Sequence, residues 1–266
     1  MLRRLAATVA LIAAAAPLHA AGIPSHDTWD ALLSRHVVSV RDGATTEVDY
    51  AGFLRDRETL QGYLDTLAAV PADDFDAWAE ADQLAFLINA YNAWTVELIL
   101  TEYPGLGSIR DLGSLFSSPW KRRIAPLLGK KRTLDDIEHG MIRGSGRYDE
   151  PRIHFGVNCA SIGCPALAAD AYRGATLEQQ LEAATRAFLG DRTRNRLEGG
   201  QLRVSSIFKW YREDFETGWR GADSLGRFLA LYSDALALPA DAADALRSGE
   251  LEIDFLSYDW SLNDSG

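Results

Sequence analysis

The sequence predicts an α+β fold, mostly helical, with a small and mainly antiparallel sheet in a single domain. Three observations predict it. Apolar residues recur at helical spacing in several separate stretches, short alternating runs stand between them, and the two kinds do not follow one another in regular βαβ order. No Pro/Gly/Ser-rich linker and no internal repeat divides the chain. With 47% hydrophobic and 10% aromatic residues among 266, the material suffices for a large core.

From the N-terminus, Arg3 and Arg4 precede an uncharged apolar run, Leu5–Ala16, and the small-residue exit Leu18-His19-Ala20. This is the anatomy of a secretory signal peptide cleaved after Ala20, too short in its apolar core to span a bilayer. The expected organisation is therefore residues 1–20 as signal and 21–266 as one exported domain, periplasmic or secreted. Next, Trp29, Leu32, Leu33 and Val37 have helical spacing, Thr46–Tyr50 alternates like a strand, and Phe53–Leu67 returns to helical spacing. Asp82–Glu102 is the strongest helix. Its apolar residues surround nearly the whole circumference, which predicts burial on most sides, and Pro104 ends it.

Thr133-Leu134-Asp135-Asp136 reads as a capped helix start with acids in the first turn. Leu134, Ile137 and Met141 mark its inward face, with Glu138 in the apolar stripe and His139 about a third of a turn away. Arg152–Asn158 reads as a strand in which Ile153, Phe155 and Val157 face the core. Thr176–Gln179 fits a capping box for a helix to about Phe188. Glu198-Gly199-Gly200-Gln201 fits a hairpin turn leading into Leu202–Ser205. Ile207–Phe215 reads as an aromatic-rich helix, and Leu251–Phe255 as a final strand.

Charge limits the partners. The formal net charge is -11, and removal of two arginines with the signal leaves 25 Lys+Arg against 38 Asp+Glu, or -13. Such a chain repels phosphate backbones and anionic membrane surfaces, so nucleic acid is not an expected partner; no membrane span is expected because no later segment is apolar enough to form one. A small molecule or peptide of unknown identity remains.

The residues that can carry chemistry gather in Arg152-Ile153-His154-Phe155-Gly156-Val157-Asn158-Cys159-Ala160-Ser161-Ile162-Gly163-Cys164-Pro165, which holds both cysteines of the chain. A loop leaving a rigid element is a frequent place for active groups. This segment, Phe86–Ala93, Phe208–Phe215 and Tyr258–Asn263 together resemble the uncharacterised family numbered 547 among domains of unknown function. The likeness runs from about Trp29 to Asn263. Ala166 stands where the family's pattern suggests a second proline. The resemblance implies a widespread domain, frequent in exported bacterial proteins, with no agreed activity.

Four chemistries fit the cysteines. In an oxidising compartment Cys159 and Cys164 default to a disulfide that fixes the loop. Cys159 as nucleophile would use His154 or His139 as base, with Glu138 or Asn92 as orienting group, in a hydrolase or acyl transferase. A regular strand would, however, put His154 and Cys159 on opposite faces. Dithiol exchange is open, although the spacing is not Cys-x-x-Cys. Metal binding by His154, Cys159 and Cys164, with His139 or Glu138, has atypical spacing, and no metal or cofactor is assigned.

The remaining candidates have structural and functional readings side by side. Asn89 and Asn92 share a helix face, either pinning neighbouring loops or lining a polar pocket. Glu138 either pairs with Arg143 or Arg152, or serves as an acid or base. Arg152, Asn158, Trp210 and Tyr211 are candidate pocket residues, the last two in an aromatic cluster that suits either the core or a ligand groove. The leading alternatives are thus a cysteine-dependent enzyme and a non-catalytic periplasmic module with a bridge-shaped binding loop.

Overall fold

The helix Glu80–Leu100 runs through the centre of the fold, and every residue from Gln83 to Leu100 is buried. That follows from its sequence, which offers no continuous polar face to water. In the computed structural model, which describes residues 22–114 and 117–266, the helices Tyr50–Arg55 and Arg57–Ala68 pack against it, and the helix Asp27–His36 packs on these two. Trp29 stacks on Tyr63 at 5.7 Å between these helices. The expected signal segment, residues 1–20, lies outside the described residues. Among the described residues no helix is long and apolar enough to cross a membrane.

The architecture is α+β, with short strands that form three separate sheets among the described residues rather than one. Val37–Val40 pairs antiparallel with Thr45–Val48, so Val37 opens a strand instead of closing the first helix. Ala125–Leu127 and Lys130–Arg132 form a hairpin that the sequence does not announce. Arg196–Glu198 and Gln201–Ser205 form the expected hairpin around Gly199 and Gly200, with φ of 62° and 82°. Both central residues of this tight turn have positive φ, which glycine adopts without steric cost. Ile253–Leu256 joins Gln201–Ser205 in parallel, the one parallel pair among the named strands.

Two buried clusters make the core. One surrounds the central helix, and the other gathers Phe188, Phe208, Phe215 and Phe228 beneath the C-terminal sheet. Residues 153–157 lie on the seam: Ile153 and Val157 belong to the first cluster and Phe155 to the second. The segment expected as a strand is here a helical turn, Ile153–Gly156, followed by extended Val157. Ile153 and Val157 lie four apart, a spacing that serves one helical face as well as it serves alternation.

Three further elements depart from the sequence reading. Ile207–Phe215 divides into a helical turn, Ile207–Trp210, and a 3-10 turn, Arg212–Glu216. The split lets Phe208 and Phe215 enter the core while Trp210 stays 47% exposed. Thr176 makes no side-chain cap on the helix Leu177–Gly190; its hydroxyl approaches Gln180 Oε1 at 3.1 Å instead. The Thr133 cap does form, with Asp136 N–H donating to Thr133 Oγ1 and Thr133 N–H to Asp136 Oδ2, both at 2.9 Å. It opens a π-helix, Asp136–Ile142, rather than an α-helix.

Candidate functional site

The cysteine loop is held from three sides before its bridge is counted. Asn92, buried in the central helix, donates Nδ2–H to Gly156 O and accepts from Asn158 N–H, both at 2.9 Å. Asn158 in turn accepts from Ala160 N–H at 2.9 Å and donates to Pro165 O at 2.7 Å. Its side chain thereby spans the loop and supports Ala160, whose φ is 59°. On the far side, Ile162 and Gly163 N–H donate to Ser261 O and Asp259 O at 2.9 and 2.8 Å. Gly163 is required there, since a Cβ would stand 2.9 Å from both Asp259 O and the Tyr258 ring.

Cys159 and Cys164 are joined by a disulfide. Cys164 is buried, while Cys159 is partly exposed and borders a cavity of about 330 Å³. Tyr258 Oη lies 3.1 Å and Ser161 Oγ 3.3 Å from Cys159 Sγ. In this state Cys159 carries no thiolate, so the structure holds it as a bridge partner and not as a free nucleophile. Among the described residues no group of three or more His, Cys, Asp or Glu side chains gathers as a metal site.

Aromatic rings dominate the cavity wall. Trp210 and Trp260 stack at 5.8 Å, Tyr258 packs against both, and Trp120 meets Trp260 edge-on. Tyr91 and Tyr211 also line the cavity, their phenols raised by burial and by the adjacent Glu138 carboxylate. The π-helix turns both Glu138 and His139 into this wall. Its wider turn, marked by Arg143 N–H donating to Glu138 O, reduces the angle between successive side chains. Burial lifts the Asp135 carboxyl at the same wall, with His139 opposing.

His154 belongs to the wall too, because the helical turn at 153–156 removes the face conflict of a regular strand. Its ring stacks on Tyr211 at 4.1 Å, and Nε2 lies 2.6 Å from Asp214 Oδ2. A carboxylate accepts, so the neutral ring donates from Nε2 and keeps its lone pair on Nδ1. Burial holds the imidazole below its ordinary value despite the Asp214 hydrogen bond. Asp214 also receives two bonds from Arg143, at 2.5 and 3.1 Å. Burial would raise its carboxyl, but His154 and Arg143 together hold it well below the usual range.

Glu138, His139, His154, Cys159, Cys164, Trp210 and Tyr211 are thus brought together around one cavity. Asn92 touches the backbone at 156 and 158 rather than an imidazole. Asn89 likewise exchanges two bonds with the Tyr172 backbone, at 2.7 and 2.9 Å. Arg152 lies apart from the cavity lining, its guanidinium buried among Glu150, Glu178 and Glu182. Arg143 and Arg152 are therefore both engaged by acids other than Glu138. Asp214, Tyr91, Trp120, Tyr258 and Trp260 are site residues that sequence reasoning missed. The one available signal for Asp214 is its place beside Trp210 and Tyr211 in a conspicuous aromatic segment.

No match to the chain was found among curated proteins or among solved structures. Residues 75–189, which include the central helix, the π-helix and the disulfide loop, match the model of the family described as Protein of unknown function, DUF547.

Proposed function

We propose that this chain is an exported binding protein whose disulfide-shaped, aromatic-walled cavity takes a small organic molecule. The observation that carries the reading is Trp210, 47% exposed yet stacked on Trp260 at the edge of a cavity of about 330 Å³. A concave site of this size, mostly apolar with a few polar groups, suits a compact ligand. Export rests on the Arg3–Ala20 pattern, and an intramolecular disulfide is compatible with an oxidising compartment. Titration with the uncharged fluorophore N-phenyl-1-naphthylamine tests the reading. Saturable one-to-one binding that weakens in Trp210→Ala and Tyr211→Ala supports it; absence of binding, or binding indifferent to both changes, refutes it.

A dithiol reading is favoured by one asymmetry: both cysteines border the cavity, but Cys159 is partly exposed while Cys164 is buried and accepts Cys159 N–H at 2.8 Å. An incoming thiolate would attack Cys159 Sγ, forming a mixed disulfide and releasing Cys164 as a thiolate beside that N–H donor. Cysteine-dependent hydrolysis or acyl transfer would need the bridge opened first, with His154 in the same wall as base. Equilibration against graded glutathione buffers decides between structural and exchangeable bridges. A potential below about -300 mV marks a structural one.

A further inference from the structure

We propose that the cavity selects a cationic ligand, an ammonium group carried on an apolar body. This deepens the binding reading above and rests on it. The wall contains two carboxylates, Asp135 and Glu138, and two imidazoles, but no lysine or arginine. Glu138 is buried; among the described residues its one ion-pair contact is His139 Nδ1 at 3.9 Å, and the phenols of Tyr91 and Tyr211 donate hydrogen bonds to its carboxylate. That same Nδ1 faces Arg143 Nη1 at 2.9 Å and is therefore an acceptor, which leaves the ring proton on Nε2.

The cations nearby stand outside the lining. Arg143 grips Asp214 with two nitrogens and lies over the Tyr211 ring at 4.7 Å. Arg110 lies over Trp260 at 5.3 Å. Lys121 is exposed and acts on Asp135 only through its charge. The cavity lining thus offers carboxylates and four aromatic side chains, Tyr91, Trp120, Trp210 and Tyr258, beside Tyr211 and Trp260, whose rings are already packed against His154 and Arg143 and against Trp210 and Arg110. A ligand cation satisfies both at once, since it is drawn to ring faces as well as to anions, and each attraction grows when water is excluded. An anionic ligand would meet Glu138 and Asp135 with no lysine or arginine in the lining itself, Arg143 and Lys121 acting only from outside it. Two aromatic rings here already carry arginine cations, so the chemistry is in use at the site's edge.

The test is displacement of N-phenyl-1-naphthylamine by benzyltrimethylammonium and by its uncharged carbon isostere, neopentylbenzene. The proposal expects the cation to compete at least about tenfold more tightly than the isostere. In Glu138→Gln that ratio should fall toward one while the neutral fluorophore still binds. Asp135→Asn is the second variant, less buried and so safer for folding, and should lower the ratio in the same direction. Equal competition by cation and isostere in the wild type overturns the cation assignment and leaves the cavity a neutral-ligand site. A preference that survives both variants also overturns it. If neither the fluorophore nor either competitor binds, the binding reading itself has failed.

Discussion

Opening the Cys159–Cys164 bridge is the perturbation whose size can be worked out most directly. The bridge closes a sequence separation of 5, for which loop entropy in the unfolded chain gives a stabilisation of about 2 kcal/mol. The native loop does not depend on the bridge alone. Asn92 and Asn158 tie it at four backbone positions, and Ser261 and Asp259 accept from Ile162 and Gly163. Reduction should therefore act on the unfolded state and leave the native fold in place. Urea unfolding followed by circular dichroism, with and without a phosphine reductant, should show a midpoint lower by about 1 M at nearly unchanged slope. Alkylation and intact mass should give two thiols after reduction and none before. A loss below about 0.5 kcal/mol would refute the loop-entropy argument. A loss above about 5 kcal/mol would show that the bridge, and not the asparagines, holds the native loop.

Acid should weaken the protein before its carboxylates titrate. His26 is buried against Tyr63 and Phe86, and burial, reinforced by Arg173, lowers its value to about 4. A folded value below the unfolded 6.5 gives stability that is present above pH 6.5 and is lost as pH falls toward 4. The loss is about 1.4 kcal/mol per unit, or about 3 kcal/mol across the window. His154, shifted the same way, steepens it. Urea midpoints from pH 7 to 4.5 should show this slope, and His26→Gln should reduce it. Asn92→Ala leaves Gly156 O and Asn158 N–H without their partner and should cost about 2–4 kcal/mol, read by the same unfolding assay. Gly163→Ala forces a Cβ onto Asp259 backbone and the Tyr258 ring. It should cost about 1–3 kcal/mol and weaken fluorophore binding, because Tyr258 is a cavity wall.

What was legible in the sequence is what short-range physics decides. The central helix announces itself because eighteen consecutive buried positions need no polar face, and the Gly199-Gly200 hairpin because two positive φ values demand glycine. The cysteine loop stood out because its chemistry is concentrated within a few residues. The helical turn at 153–156 was hidden because Ile153, Phe155 and Val157 serve two different cores, so their alternation reflects a seam and not a sheet face. That ambiguity had a functional consequence. Read as a strand, the segment separates His154 from Cys159; folded as a turn, it sets both in one wall. The partner of His154 was out of reach for a different reason. Asp214 is 60 residues away, and Tyr258 lies 99 residues from the cysteine it touches. Meetings at such separations are made by the packing of whole elements and leave no local pattern. The cysteine therefore drew attention as a nucleophile on the strength of its neighbours in sequence. Its neighbours in space are a second cysteine, a tyrosine and a serine, and around them stands a wall of rings with two carboxylates. On the binding proposal, a bridged sulfur in that setting shapes the site, and the charge of the wall is the feature by which a ligand would be chosen.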